Sequence, residues 1–295
     1  MKTTLLLTAL LACTAGIPAF AATPINETRP LDARGRVDIS NVKGRIEVRT
    51  WDKAEVAITG SLGEGAERLQ VEGDQRNLEV KVRYPRNSRN TEPTTLVLQV
   101  PRHASLDIEG VAATIDVAGV AGDELDIDSV SGSVTAVGAP RSADISSVSG
   151  DLRLNLNSET VEVESVSGTI ALRGRIGGEV SAETVSGDIT IDTRGEAVRR
   201  FSASTVSGNA GFTGALADGG RISAESVSGN LRLTLQKALS ARVHAESFSG
   251  SLSAPGVSVS RPKYGPGSSF EHSFGSGSGE IRLETFSGNA ELRLE

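Results

Sequence analysis

One short pattern recurs along the chain and limits its fold more than any other feature: Val or Phe, then Ser, Gly and usually a polar residue. Its glycines are Gly132, Gly150, Gly168, Gly187, Gly208, Gly229, Gly250 and Gly288. Up to Gly250 these glycines are 18, 18, 19, 21, 21 and 21 residues apart, and looser copies of the pattern begin at Val42 and Val111. A fixed period of about 20 residues is typical of folds whose repeats stack on one another.

Each repeat carries two strand signals, one on each side of the glycine. Apolar and polar residues alternate before it, as at Val161 and Val163, and again after it, as at Leu152 and Leu154. Period two over short runs bounded by glycine indicates half-buried strands. The sequence therefore predicts an all-β fold, a β-solenoid of stacked rungs of 18–21 residues. The usual hand of crossover connections makes right-handed winding the expectation.

Backbone geometry offers a reason for the repeated glycine. A tight turn between two strands often needs one residue at positive φ, which glycine adopts without steric cost. Stacked turns would let each strand pair with its equivalent one rung away, about 4.8 Å along the axis. Equivalent side chains are then expected to form columns that run along the solenoid.

Residues 1–21 have the features of a secretory signal peptide. Leu5 to Ala12 form its apolar part, and Ala19-Phe20-Ala21 form a small-x-small cleavage site, so the mature chain is expected to begin near Ala22. An exported protein, periplasmic or secreted, is the expectation. The alternative is a lipoprotein that is acylated at Cys13 and anchored through it. No later segment approaches the roughly 20 apolar residues of a membrane-spanning helix.

The remaining chain divides into four predicted parts. They are 22–105, a leader, first rung and irregular β cap; 106–253, the solenoid repeats; 254–279, a protruding loop or hairpin rich in Gly, Ser and Pro; and 280–295, the final rung. The first rung spans Val37 to Val48, with Val42 among its inward residues. A cap is expected because an uncovered strand edge invites pairing with other chains.

Charge and cysteine content exclude several classes of function. The formal net charge is −7 at pH 7, which argues against nucleic acid or an anionic membrane as the main partner, because both attract Lys and Arg. Cys13 is the only cysteine and lies in the signal peptide. The mature chain is therefore expected to have no disulfide and no thiolate metal site, and no cofactor is predicted.

Three features together carry a resemblance to a known family. They are the repeated Val-Ser-Gly turns, the early unit Val42-Lys43-Gly44-Arg45-Ile46-Glu47-Val48 with Trp51-Asp52 after it, and the Gly-rich return before Phe286-Ser287-Gly288. With them the chain resembles the bacterial "putative adhesin" family of exported β-strand-repeat proteins, catalogued as a domain of unknown function. The resemblance implies a β-helix-like fold and a role in adhesion or cell-envelope interaction. It implies no catalytic or ligand-binding residues.

A mostly acidic column is predicted two residues before each turn Val or Phe. Its members are Asp128, Ser146, Glu164, Glu183, Ser204, Glu225, Glu246 and Glu284. Stacking predicts that Glu164 lies near Glu183 and that Glu225 lies near Glu246, on the outer surface. Repulsion between exposed carboxylates about 5 Å apart is only about 0.8 kcal/mol, so a solvated surface is one interpretation. The other is a Ca²⁺ site at Glu164, Glu183, Glu225 and Glu246, because Ca²⁺ prefers several oxygen ligands.

Two constellations suggest catalysis, and both have plain alternatives. His244 is predicted to lie beside Ser223, with Glu225 and Glu246 close by, an arrangement similar to a nucleophile, base and carboxylate. Ser recurs in the same column as surface filler, and the sequence has no nucleophile elbow, so no catalytic residue is assigned. Acidic pairs, as near Asp126, also occur in polysaccharide-cleaving β-helix enzymes, which need an acid and a base in a groove.

The loop predicted at 254–279 concentrates aromatic and basic residues in a chain that has few aromatics. The candidate contact residues are Arg261, Lys263, Tyr264, Phe270, His272 and Phe274. Aromatic residues with Arg favour binding hot spots. Alternatively, Phe270 and Phe274 pin the loop over the end of the solenoid as a cap.

The sequence as a whole favours a non-catalytic, exported interaction protein of the cell envelope that presents a repetitive surface to a glycan or a protein. A polysaccharide-active β-helix enzyme is one alternative. An envelope scaffold or regulatory partner is another.

Overall fold

A strand lies on each side of the repeated glycines, and strands make up most of the described chain. The computed structural model describes residues 23–85, 91–264 and 266–295. The signal peptide, Cys13 and residues 86–90 therefore lie outside the described residues. Within the described ranges the secondary structure consists of strands and turns with no helix, which confirms the all-β prediction.

The strands follow one another with short connections from one end of the described chain to the other. In chain order they are β1 (Thr23–Pro30), β2 (Arg36–Trp51), β3 (Glu55–Leu62), β4 (Arg68–Gly73), β5 (Asn77–Arg83), β6 (Thr94–Pro101), β7 (Ser105–Val120), β8 (Glu124–Ser131), β9 (Val134–Gly138), β10 (Ser142–Ser149), β11 (Leu152–Leu156), β12 (Thr160–Ser167), β13 (Ile170–Arg173), β14 (Glu179–Ser186), β15 (Ile189–Ser207), β16 (Ala210–Ser228), β17 (Leu231–Leu235), β18 (Ala241–Ser247), β19 (Leu252–Ser253), β20 (Ser268–Phe274), β21 (Gly279–Thr285) and β22 (Ala290–Leu294).

Successive repeats pair in parallel and in register, so that equivalent residues lie side by side. Strand β8 pairs with β10, β10 with β12 and β12 with β14, which puts Ile127, Ile145, Val163 and Ala182 in one row. The strands after each glycine pair in the same way, as β9 with β11 and β11 with β13. We call one circuit of the chain a rung, the strand before its glycine face 1 and the strand after it face 2.

The core consists of the inward columns of the two faces. In some rungs of face 1 a small inward residue accompanies a larger one: Ala143 lies two residues before Ile145, whereas Phe201 lies two residues before Ala203, and all four are buried. Compensation of this kind keeps a narrow interior filled without strain. Each large aliphatic side chain buried in this way stabilises the fold by about 1.5–3 kcal/mol before chain entropy is counted.

The repeated glycines stack directly on one another at the corner between the two faces. In each of the eight repeats, an added Cβ would lie 1.7–2.3 Å from a carbonyl oxygen of the adjacent corner, far inside van der Waals contact. Five of these glycines have φ between 130° and 156°, but Gly229, Gly250 and Gly288 are not among the positive-φ glycines. Positive φ, the predicted reason for the glycine, therefore applies to only part of the column. Close approach of the backbone applies to all of it.

The polar residue after the glycine connects neighbouring corners. The Oδ1 atom of Asn209 accepts hydrogen bonds from the backbone N of Asn230, at 3.2 Å, and from its Nδ2, at 2.9 Å. In the same way, Oδ1 of Asp188 accepts hydrogen bonds from the backbone N and Nδ2 of Asn209. Oδ1 of Asn230 accepts the equivalent pair from Asn289. The ladder of side chains satisfies turn N–H groups that would otherwise lack partners.

The C-terminal rung lies inside the stack, which corrects the predicted order. Strand β21 pairs with β16 on one side and with β18 on the other, and β22 lies between β17 and β19 in the same way. The last residues of the chain are thus inserted between two rungs that precede them in sequence. Glu284, and not Glu246, is the neighbour of Glu225, so the predicted contact between Glu225 and Glu246 is wrong.

Residues 254–279 are only partly a loop, which corrects the prediction of one protruding segment. Strand β20 pairs antiparallel with β18, with Phe270 opposite Ala245. Phe270 is only 5% exposed, and apart from one bridge at Ser260 the described residues of 254–267 are not in strands. The strand covers the last edge of face 1, as the cap alternative for Phe270 predicted.

Antiparallel strands also cover the other end of the stack. Strand β1 pairs with β3, which pairs with β6, and β4 pairs with β5; both β5 and β6 pair in parallel with β2. The leader prediction missed that β1 is a strand. Val42 is 43% exposed, so its predicted inward position is wrong: it is a corner residue and points outward. Covered edges of this kind limit pairing with other chains.

The glycine column generates a stability prediction. Gly229→Ala should lower the free energy of unfolding by at least about 2 kcal/mol, because the added methyl group collides with the carbonyl oxygen of Gly208 and forces overpacking. Gly211→Ala is the matched control in the same repeat, because its Cβ would meet nothing closer than 3.8 Å. Urea denaturation followed by circular dichroism measures both; equal losses for the two variants would contradict close approach as the constraint.

Candidate ligand-binding groove

An unbroken row of apolar side chains lies on the outside of the corner. We call this row the apolar column, and its members in spatial order are Val42, Val111, Val130, Val148, Val166, Val185, Val206, Val227, Phe286 and Phe248. They are 43–57% exposed, and the two Phe rings stack with centroids 4.7 Å apart. Ten members at about 4.8 Å spacing make a row about 43 Å long. Contiguous exposed apolar surface on this scale marks interaction sites in soluble proteins.

The predicted acidic column runs parallel to the apolar column on face 1. It begins with Glu109, and its order at the end is Glu225, Glu284, Glu246. Glu164 lies beside Glu183 as predicted by stacking. Glu284 is paired with Arg282, and Glu246 lies 3.1 Å from Nε2 of His244.

Five carboxylates of the acidic column lack any ion pair with the described part of the chain. They are Glu109, Asp128, Glu164, Glu183 and Glu225. The first four belong to consecutive or nearly consecutive rungs in the N-terminal half of the solenoid. This half of the column therefore presents uncompensated negative charge.

A row of inward-pointing hydroxyl residues runs between the two columns. We call the row Ser129, Ser147, Ser165, Thr184, Thr205 and Ser226 the hydroxyl column. Each of these residues is 2–7% exposed, and none of their hydroxyl oxygens has a hydrogen-bond partner among the described residues. The hydroxyl groups therefore face the interior of the corner, whereas the residues on either side of each, such as Asp128 and Val130, point outward.

Sequence reasoning missed the hydroxyl column, although its signal was visible. A Ser or Thr stands immediately before the turn Val or Phe in every clear repeat from Ser129 onward. Further along the stack the equivalent Ser247 donates its hydroxyl to the carbonyl oxygen of Gly288, 3.1 Å away.

The three columns together enclose a groove along the solenoid axis. Its N-terminal stretch, from Ser40 to Val185, has a volume of about 590 Å³. Its C-terminal stretch, from Ser204 to Phe286, has a volume of about 560 Å³ and is also lined by Pro262. The acidic column forms one wall, the apolar column the other, and the backbone between them the floor.

A second outward column on face 1 adds to the negative charge beside the groove. Its N-terminal members are Asp38, Asp107, Asp126, Asp144 and Glu162. Arg36 neutralises one end of it, 2.7 Å from Asp107 and 2.9 Å from Asp38.

Burial raises the pKa of three of these crowded carboxyl groups. For Asp128 the carboxylates of Asp107 and Asp144 raise the pKa further, and for Asp144 the carboxylate of Glu164 does so. Burial is also the largest cause of the raised pKa of Asp126. Ionisation of these groups is therefore less favourable in the fold than in water.

The predicted catalytic constellation is not assembled. Arg282 lies between Ser223 and His244, because β21 is inserted between their strands. In the described part of the chain no group of three or more His, Cys, Asp or Glu side chains is arranged to hold a metal ion. Of the predicted Ca²⁺ ligands, only Glu164 and Glu183 are neighbours.

The predicted contact residues of 254–279 are separated by the fold. Arg261, Lys263 and Tyr264 are exposed, with Tyr264 84% exposed. Phe270 is buried in the core, and His272 packs edge-on against Phe274 at 4.7 Å.

Comparisons with known proteins agree with this architecture. Residues 105–213 match the family described as Toastrack DUF4097, so the predicted resemblance to a family catalogued as a domain of unknown function is confirmed. The match spans 109 of the 295 residues. No curated protein matches the sequence. The described residues contain no helix with the length and apolar character needed to cross a membrane.

Solved structures with similar folds carry names that refer to adhesion. A putative adhesin from Parabacteroides distasonis ATCC 8503 is 14% identical, with 92% of this chain and 97% of that chain covered and a TM-score of 0.51. A putative adhesin from Bacteroides fragilis NCTC 9343 is 12% identical, with 92% and 98% covered and a TM-score of 0.45. At these identities the first similarity shows the fold alone.

The raised carboxyl pKa values generate a pH prediction. A carboxyl group whose folded-state pKa is raised contributes stability that is complete below its unfolded pKa, about 4, and is lost as pH rises through the folded value. The double variant Asp128→Asn, Asp144→Asn should therefore unfold at higher urea concentration than the parent at pH 7. The difference should vanish near pH 4.

Asp74 provides a control of opposite sign. Hydrogen bonds from the backbone N of Asn77 and of Arg76 lower its pKa, so its stabilising effect is present at pH 7 and is lost as pH falls through the folded value. Asp74→Asn should therefore be less stable than the parent at pH 7. A double variant that loses stability at pH 7 as Asp74→Asn does would contradict the assignment.

Proposed function

We propose that this chain is a non-catalytic interaction protein of the bacterial cell envelope, and that it binds a linear envelope polymer, glycan or protein, in the groove. One observation carries the proposal: the unbroken apolar column stands exposed beside an acidic column over the length of the stack. Isolated exposed apolar residues need no explanation, whereas a contiguous row does. A groove open along its whole length fits a linear polymer.

The repeat geometry supports binding more than chemistry. An acid and a base that cleave a glycosidic bond act on one sugar linkage and need a single distinct position. Here carboxylates of the groove recur along the stack at the same position of the repeat. A ligand that is itself repetitive can contact several rungs, so that weak contacts add up.

Export to the cell envelope forms part of the same proposal. The sequence signal at residues 1–21 and the adhesion-related names of proteins with a similar fold support export to the envelope. Right-handed winding of the stack, with residues 22–105 as its N-terminal cap, completes the proposed architecture.

A sedimentation assay with isolated cell envelopes tests the proposal. The purified mature chain should cosediment with envelopes, and the double variant Val166→Ser, Val185→Ser should lose most of this binding because the apolar wall is broken. Val137→Ser is the matched control: Val137 is 45% exposed but lies on face 2, outside the groove. Each substituted Val is half-exposed, so stability should change by no more than about 0.5 kcal/mol per site.

Three outcomes would contradict the proposal. Equal loss of binding in the groove variant and in Val137→Ser would show that the groove is not the binding surface. Unchanged binding in both would lead to the same conclusion. Turnover of envelope or plant polysaccharides by the parent chain would favour the enzyme alternative.

A further inference from the structure

We infer that the occupant of the groove is an extended polypeptide segment whose side chains alternate between basic and apolar, lying along the solenoid axis. The inference rests on the proposed function, because it takes the groove as the binding surface. It adds the chemical class of the partner, which follows from the two walls and the length of the groove.

The acidic wall requires cationic groups on one side of the ligand. Glu109, Asp128, Glu164 and Glu183 have no ion pair within the described residues, and Asp144 and Glu162 stand in the next outward column. Lys or Arg side chains would relieve the repulsion within this surface. A second copy of the chain is disfavoured as the occupant, because it would place one acidic column against another.

The apolar wall requires apolar groups on the other side of the ligand. Eight of its ten members are Val, and the two Phe residues lie together at one end. Branched aliphatic side chains present no flat ring, so this wall fits aliphatic side chains, which gain free energy by leaving water.

An extended polypeptide satisfies both walls at once. Successive side chains of an extended chain point to opposite sides, so strict alternation sends every basic residue to the acidic wall and every apolar residue to the apolar wall. A helical segment would distribute the same residues around its axis.

The length of the groove fits such a segment. From Val111 to Val185 the floor is about 19 Å long, which accommodates about six extended residues.

Binding of short synthetic peptides tests the inference. The probe is a fluorescein-labelled peptide of about eight residues with alternating Lys and Val, and its comparator has the same composition with all Lys before all Val. Fluorescence anisotropy at low salt measures the dissociation constants. The alternating peptide should bind at least about tenfold more tightly, because only its extended form meets both walls over its whole length.

Paired variants separate the contributions of the two walls. Glu164→Gln with Glu183→Gln should weaken binding of the alternating peptide and reduce its dependence on salt, because screening acts on charges. Val166→Ser with Val185→Ser should weaken binding and leave the salt dependence unchanged. Glu72→Gln in β4 and Val137→Ser on face 2 are the matched controls and should bind as the parent does.

The outcomes distinguish this inference from the proposed function. Equal affinity for the alternating and block peptides, or equal effects of the groove variants and their controls, overturns the inference. If a chitosan oligomer, a linear amino-glycan, binds with the same dependence on Glu183 and Val185 while the alternating peptide does not, the groove is a glycan site: the proposed function stands and the peptide class is wrong. Absence of groove-dependent binding to both probes and to envelopes overturns both.

Discussion

The rest of the structure depends on the close approach of backbone to backbone at the glycine corners. The backbones of neighbouring corners lie so close together that a single added methyl group would clash with the carbonyl oxygen of the adjacent corner, as at Gly229 beside Gly208. This contact fixes the height and lateral position of each rung on its neighbour. Burial of one side of each strand supports the same register, because a shift of one residue would turn every inward side chain outward. The glycine column and the buried side chains together hold the other columns in place.

Because the rungs stack in register, one surface residue of the repeat is repeated along the stack and forms a continuous wall of the groove. A single half-exposed Val such as Val166 is unremarkable, but its equivalents stand directly beside it in every neighbouring rung. The same is true of Glu164 and of the buried hydroxyl of Ser165. Three successive residues of one repeat therefore define the apolar wall, the floor and the acidic wall, and the length of the groove is set by the number of rungs. Binding free energy on such a surface is spread over several rungs, and each contact contributes little by itself.

The sequence predicted the elements that depend on local pattern. The all-β fold, the parallel rows of Ile127, Ile145 and Val163, and the irregular strands around 55–100 follow from period-two alternation and the glycine spacing. The outward position of Val42 was not predicted, because alternation ceases to hold where the chain bends at the corner. The sequence predicts a protruding loop or hairpin where β20 lies, because the Ser-rich composition of this strand hides that Ser268 and Phe270 face inward.

The position of the last rung could not be predicted from the repeat. Sequence periodicity indicates which segments are equivalent, but it does not indicate which of them are neighbours in the stack. Chemistry at the corners nevertheless distinguishes the two orders. Asn289 donates to Asn230 through both its backbone N and its Nδ2, whereas Ser251 donates to Oδ1 of Asn289 through its backbone N alone. With Asn289 next to Asn230, the ladder of side-chain amides runs unbroken and ends at Ser251. With Ser251 in between, it would break.

The apolar column agrees with the same order. Phe replaces Val only at Phe248 and Phe286, and the insertion of β21 brings these two rings into a stack at one end of the groove. If the chain were stacked in sequence order, with residues 280–295 outermost, strand β20 would have to leave β18 and the stack would lose an edge strand that buries Phe270. The insertion therefore lets one short segment complete the Asn ladder and the acidic column, while β20 remains free to close the end of face 1. The insertion also places Glu284 and Phe286 within the columns of the groove and not at their end.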